Sequence, residues 1–115
     1  MASSANGSLD LGAQEASAES RCSMACQAIE TGRCLEIRYG DCTRILEVHR
    51  VGINLRGEHI LSGWQISGPA CERVGWKLID LKEPIDLTLT NIASQAPRPD
   101  YRRGAKQFIG IMCQL

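Results

Sequence analysis

The chain has no run of about 18 apolar residues, the length that a membrane-spanning helix needs. Its first twenty residues also lack the basic and then apolar order of a secretory signal, so we expect a cytoplasmic protein that does not contact a membrane. Net charge is absent as well, because 13 Lys and Arg residues balance 13 Asp and Glu residues. This balance excludes a protein built mainly to coat a nucleic acid backbone, although a local basic patch is compatible with it.

The short motifs of common active sites are also missing. The sequence has no CxxC pair, no HExxH helix, no phosphate-binding glycine loop and no local Ser/His/Asp order. We therefore expect a non-enzymatic protein without a cofactor or a bound metal. One alternative stays open, a metal ion held by Cys22, Cys26, His49 and His59. Nothing local joins the two histidines to the two cysteines.

The chain is long enough for one domain, with 115 residues of which 43% are hydrophobic. Residues 1–20 are rich in Ser, Ala and Gly, so we expect a flexible tail there and a single domain over 21–115. The 6 cysteines are an even number, which would suggest a disulfide framework in a secreted chain. Without an export signal, we expect mostly buried free thiols that pack as small apolar side chains.

The periodicity of apolar residues changes along the domain. A helical pattern runs from Ser23 to a stop at Gly32, and an alternating pattern follows on both sides of a turn at Gly40. Further apolar runs occupy 59–66, 74–81, 85–92 and 108–115, of which 85–92 fits a strand or a helical turn equally well. These patterns predict a mainly β fold, a small SH3-like or Sm-like antiparallel barrel with one short N-terminal helix.

Aromatic residues make up only 4% of the chain, but two tryptophans lie beside polar residues on successive predicted strands. Such strands present a ring on one face and a hydrogen-bonding group on the other. The hypothesis is a binding surface for a small anionic or nucleotide-like ligand, or for single-stranded nucleic acid. Arg44 would supply the charge and Gln65 would fix the orientation. The candidate residues are Tyr39, Arg44, Trp64, Gln65, Trp76 and Lys77. In the alternative interpretation, the tryptophans fill the core.

A basic segment with an interleaved aromatic residue lies near the C-terminus, where residues 98–115 carry four bases and one acid. Arginine side chains fit phosphate and carboxylate groups, so this segment would contact phosphate or an acidic protein partner. Its candidate residues are Arg98, Tyr101, Arg102, Arg103 and Lys106. The alternative is a solvated tail. A protein-interaction module could also use an open strand edge, which would allow homo-oligomers.

An ordered set of segments within residues 28–81 resembles a known family. The segments are AI at 28–29, LEIRY at 35–39, RILEVH at 44–49, HILSGWQ at 59–65 and WKLIDL at 76–81. Their order is similar to that of the WYL domain, a small Sm-like or SH3-like barrel found in bacterial regulators. The resemblance implies a ligand-sensing, regulatory module that stands alone, without a DNA-binding segment. In this chain Lys77 stands where the family has an arginine, and Glu83 stands where the family often has a ligand-facing arginine.

Overall fold

The fold is described by a computed structural model of residues 6–82, 86–101 and 108–115. These parts of the chain form one helix and six strands. They are α1 (Asn6–Thr31), β1 (Arg33–Tyr39), β2 (Cys42–Ile53), β3 (His59–Ser67), β4 (Gly75–Asp80), β5 (Asp86–Ala93) and β6 (Gly110–Gln114).

Helix α1 is longer than the periodicity indicates, because it begins at Asn6 and not at Ser23. Residues 6–20, expected in a flexible tail, contain Ala, Leu, Gln and Glu, which extend a helix well once a neighbouring turn has formed. Residues 1–5 of the expected tail lie outside the described residues. The helix ends as predicted at Gly32, whose φ of 67° is the left-handed conformation that terminates helices. No helix in the described ranges combines the length and the apolarity that a membrane crossing requires.

The strands form one antiparallel sheet in the order β4-β3-β2-β1-β5, with β6 paired to β2. The predicted hairpin forms between β1 and β2, around a turn at which Gly40 has a φ of 60°. The ambiguous segment 85–92 is a strand from Asp86 onward and pairs with β1. A mainly β, antiparallel fold with an N-terminal helix is therefore confirmed.

Strand β2 belongs to two parts of the sheet, because it pairs with β1 near its start and with β6 near its end. Its register against β3 shifts between Val48 and Arg50, and such a bulge bends a strand and increases its twist. A side chain at Gly52 would strike the carbonyl oxygen of Gly110, so glycine at this position lets β6 approach β2. Within the described residues, β4 and β5 do not pair with each other. The sheet is not closed, and the expected barrel is not confirmed.

The hydrophobic core lies between α1 and the sheet. The helix contributes small buried side chains, which let it approach the strands closely: Cys22, Ala25 and Ala28. The strands and the turn after β4 contribute larger ones: Leu35, Ile37, Leu46, Val48, Val51, Leu61 and Leu81. Full burial of one such leucine or isoleucine contributes roughly 1.5–3 kcal/mol. The predicted docking of the helix on the strands is therefore confirmed for the C-terminal part of α1.

A disulfide between Cys26 and Cys113 joins α1 to β6. The other four cysteines are free, and of these Cys22 and Cys34 are buried, whereas Cys71 is exposed. Burial raises the pKa of the Cys22 and Cys34 thiols, which keeps them protonated at neutral pH. The prediction of buried free thiols is thus correct for these two residues and wrong for the linked pair and for the exposed Cys71. A sequence separation of 87 between the linked cysteines gives no local signal that they meet.

Candidate functional site

A cavity of about 290 Å³ lies between β1 and β4. Residues of the intervening strands β2 and β3 line it as well, so the cavity extends across four neighbouring strands of the sheet. Four of the six residues expected to bind a ligand line this cavity: Tyr39, Arg44, Gln65 and Lys77. The remaining lining residues are Ile37, Leu78 and Ile79, which are apolar, and Glu72 and Asp80, which are acidic.

Arg44 forms a two-pronged ion pair with Glu72, a residue in the loop between β3 and β4. Its Nε lies 2.8 Å from Oε1 and its Nη2 lies 2.6 Å from Oε2, and the guanidinium lies 5.5 Å from the centre of the Tyr39 ring. The bonds from Arg44, with a further one from Gln65, lower the pKa of Glu72 to about 2. Both partners are therefore ionised at neutral pH, and Arg44 brings no unbalanced positive charge to the cavity.

The side chain of Gln65 is buried, and its hydrogen bonds are incomplete. Its Nε2 donates to Oε1 of Glu72 across 2.9 Å, which fixes the amide orientation because a carboxylate only accepts. Its Oε1 is buried and has no hydrogen-bond partner among the described residues. A side chain at Gly68 would strike the Gln65 amide and come within 3.3 Å of Glu72, so glycine there leaves room for this network. A buried acceptor without a donor costs roughly 1–3 kcal/mol.

Lys77 and Asp80 add one charge of each sign to the cavity lining. No ion pair joins Lys77 to any residue that the structure describes, although its charge contributes to the lowered pKa of Glu72. The Oδ1 of Asp80 accepts a hydrogen bond of 2.8 Å from the backbone N–H of Lys82. The described lining therefore carries two cationic and two carboxylate side chains, and its charges balance.

The two tryptophans lie away from this cavity. Trp64 and Trp76 are directly opposed on β3 and β4, with ring centres 5.5 Å apart in an edge-to-face arrangement. Successive side chains of a strand point to opposite faces, so the tryptophans face away from the side that carries Gln65 and Lys77. The expected binding surface is thus divided, with four members at the cavity and two on the other face of the sheet.

Residues 98–101 cover the face that carries the tryptophans. The Arg98 guanidinium lies 5.1 Å from the Trp64 ring, and the Tyr101 ring stacks on Trp76 at 6.3 Å between centres. The indole N–H of Trp76 donates to the Asp100 carboxylate across 2.7 Å. Both tryptophans are half-buried as a result, which is closer to the core-filling interpretation than to an open stacking platform.

A buried carboxylate holds this covering segment to the sheet. Glu47, whose side chain is 2% exposed, accepts a bond of 2.7 Å from Nε of Arg98 and one of 2.8 Å from the backbone N–H of Gln95. The hydroxyl of Tyr101 donates to the carbonyl of His49 across 3.2 Å. Arg98 and Tyr101, expected to contact phosphate or a protein partner, therefore make their described contacts within the domain. The other members of that set, Arg102, Arg103 and Lys106, lie outside the described residues.

His49 is fully buried beneath the same segment. Its Nδ1 is 2.9 Å from the carbonyl of Glu47, and its Nε2 accepts a bond of 2.9 Å from the backbone N–H of Arg98. One nitrogen thus faces an acceptor and the other a donor, which defines a neutral ring with its proton on Nδ1. Burial lowers the pKa of His49, in agreement with the neutral form. The bond at Nδ1 orients the ring on β2, and the bond at Nε2 positions the covering segment.

The alternative metal site is not assembled in the described residues. Cys26 is bonded to Cys113, and both nitrogens of His49 are occupied by the backbone. No group of three or more His, Cys, Asp or Glu side chains within 6–82, 86–101 and 108–115 is arranged to hold a metal ion. The open cavity is therefore the candidate site that the described residues support.

Comparison of the chain with models of protein families, with curated proteins and with solved structures found no match. The resemblance to the WYL domain thus stays a prediction.

Proposed function

We propose that this chain is a non-enzymatic binding module that senses a small polar ligand in the cavity between β1 and β4. The single observation that carries the proposal is the buried Oε1 of Gln65, an acceptor without a partner among the described residues. Lys77, which has no ion pair in the same set of residues, lines the same cavity and offers a charged donor. An acceptor and a cation at one cavity, bordered by apolar side chains, are typical of a ligand site.

A small molecule fits this site better than single-stranded nucleic acid. Stacking of successive bases needs open aromatic faces, whereas Arg98 and Tyr101 lie over Trp64 and Trp76. The cavity volume of about 290 Å³ is near the lower end of the range for small-molecule pockets. The nucleic acid alternative would require residues 98–101 to leave the sheet.

The proposal also includes an SH3-like architecture for the sheet. A sheet that curls until its edge strands β4 and β5 approach each other would be an SH3-like barrel with an open seam, and the ligand cavity would lie beside β4 at that seam. A regulatory role, as the WYL-like order of segments implies, would follow if ligand binding changes the edges of the seam. The expected cytoplasmic location also stays a prediction, which the disulfide does not favour because such bonds persist in oxidising compartments.

Replacement of Lys77 by methionine tests the site, because it removes the charge and keeps most of the aliphatic stem. The full chain would be screened by thermal shift against nucleoside monophosphates, small carboxylates and amino acids, since a ligand of the folded state raises Tm. We expect a shift from one class, and a loss of roughly tenfold or more in affinity with Lys77→Met, because a hydrogen bond to a charged group contributes about 1.5–3 kcal/mol.

The matched control is Lys82→Met, since Lys82 is exposed and does not line the cavity. This variant should bind as the parent chain does. Equal binding by both variants would place the ligand elsewhere, and no shift from any class would contradict a ligand-binding function.

The alternative function is a protein-interaction or self-association module, and one observation favours it. Three apolar side chains near β6 are exposed, Ile109 by 62%, Ile111 by 40% and Met112 by 51%. Within the described residues β6 pairs only with β2, so its other edge is open to a partner strand. A flat result in the thermal-shift screen would favour this alternative.

A further inference from the structure

We infer that the ligand of the cavity is a small zwitterion, a molecule with a carboxylate and an ammonium group on a short apolar frame, as in an α-amino acid. The inference rests on the proposed function and specifies its ligand class. It follows from the charges, the hydrogen-bonding groups and the apolar walls of the cavity.

The charge balance disfavours a strongly anionic ligand. Arg44 is already matched by Glu72, with two bonds of 2.8 Å and 2.6 Å, so Lys77 alone among the described lining residues offers an unmatched cation. For the same reason Glu72 offers no unmatched negative charge, whereas the Asp80 carboxylate forms no ion pair with any described residue. A phosphate dianion would therefore meet one unmatched cation and one unmatched carboxylate, and like charges at short range repel. A ligand without net charge avoids this repulsion.

The hydrogen-bonding groups divide into a donor and acceptors. The ammonium group of Lys77 matches a ligand carboxylate, because a charge-assisted bond of this kind is stronger than a neutral one. The unpartnered Oε1 of Gln65 requires an N–H or O–H donor, which a ligand ammonium group provides. The Asp80 carboxylate at the same cavity, which has no ion pair among the described residues, favours a donor that is positively charged.

The walls of the cavity determine the polarity of the ligand frame that carries the two charged groups. Ile37, Leu78 and Ile79 line it beside the Tyr39 ring, so the frame between and beyond the charged groups should be apolar. Aliphatic and thioether side chains match this surface. Leucine and methionine are therefore suitable probes.

The inference is tested by removing one charged group of the ligand at a time. Binding of L-leucine to the full chain would be compared, by calorimetry and thermal shift, with 4-methylpentanoate, which lacks the ammonium group, and with 3-methylbutylamine, which lacks the carboxylate. L-methionine and AMP complete the set. We expect at least one amino acid to bind, each truncated analogue of leucine to bind roughly tenfold more weakly or worse than leucine, and AMP to produce no shift.

Different failures have different meanings. Binding of AMP or of 4-methylpentanoate at least as tightly as the amino acids would overturn the zwitterion and leave the proposed function in place. No binding by any probe would overturn both.

A Gln65→Met variant tests the contact assigned to the ammonium group, with circular dichroism to confirm that the variant folds. For this variant, the ratio of the affinity for leucine to the affinity for 4-methylpentanoate should be much smaller than for the parent chain, because the acceptor of the ammonium group is gone. If the variant does not fold, Lys77→Met gives the matching test. For Lys77→Met, leucine and 3-methylbutylamine, which lacks the carboxylate, should bind with nearly equal affinity. If the folded variant keeps the affinity ratio of the parent chain, the contact assigned to the replaced side chain would be overturned.

Discussion

Replacement of Cys113 by serine is expected to lower the free energy of unfolding by roughly 4–5 kcal/mol, because the bond to Cys26 closes a loop with a sequence separation of 87. Such a cross-link restricts the unfolded chain, and the restriction increases with loop length. The bond also holds β6, a strand that pairs only with β2 among the described residues, against α1. Urea denaturation of parent and variant chains, with and without reductant, measures the difference.

Cys71→Ser is the matched control, since Cys71 is exposed and free. Its unfolding free energy should stay within about 0.5 kcal/mol of the parent value. Reductant should destabilise the parent chain and the control but not Cys113→Ser. An oxidised parent chain no more stable than Cys113→Ser would show that the cross-link does not form or does not stabilise the fold.

Replacement of Arg98 by methionine should lower the free energy of unfolding by about 3 kcal/mol, since it leaves the buried Glu47 carboxylate without its cation. Among the described residues, only the backbone N–H of Gln95 would then still bond that carboxylate. The side chain of Arg98 is 25% exposed, so water reaches part of the pair and the effect falls at the lower end of the range for buried ion pairs.

A second substitution separates the lost charge pair from lost packing on Trp64. Addition of Glu47→Gln to Arg98→Met removes the uncompensated charge and should restore about 1 kcal/mol or more. Arg56→Met is the control, because Arg56 lies in an exposed turn, and its stability should match the parent chain. If Arg98→Met alone were as stable as the parent chain, the ion pair between Arg98 and the buried Glu47 would be contradicted. The docking of residues 98–101 on the sheet would be contradicted with it.

Periodicity along the chain predicted much of the fold. Alternating apolar residues on both sides of Gly40 gave the hairpin of β1 and β2, and the helical spacing before Gly32 gave the part of α1 that packs on the sheet. These are local patterns, and they depend largely on side chains that are buried in the core, such as Leu35 and Ala28. Start positions were less predictable, since α1 continues to Asn6 through residues that the helical pattern before Gly32 does not include.

The candidate site was predictable only in part. Tyr39, Arg44, Gln65 and Lys77 were identified from their place on strands, because strand ends and strand alternation are visible in the sequence. Glu72 was not, since it lies in an irregular loop and reaches Arg44 across a sequence separation of 28. Its carboxylate nevertheless decides how much charge Arg44 offers.

Long-range contacts explain the remaining differences. Arg98 looked like a solvent-facing base in a basic segment, but a buried Glu47 that is 51 residues away accepts its hydrogen bond. Trp64 and Trp76 were placed with the cavity residues because their strands are shared, whereas strand alternation puts them on the opposite face. Which face is covered depends on residues 98–101, whose return to the sheet has no local signal.

The central claim is that a small ligand binds in the cavity between β1 and β4, and NMR titration of the ¹⁵N-labelled full chain tests it most directly. L-leucine, L-methionine and AMP would be added in separate experiments. The account predicts that an amino acid shifts the side-chain amide signals of Gln65 and the backbone amide signals of β4 near Lys77, while the indole signal of Trp76 stays in place. Shifts centred on Trp76 and Arg98, or no shift with any of these probes, would contradict it.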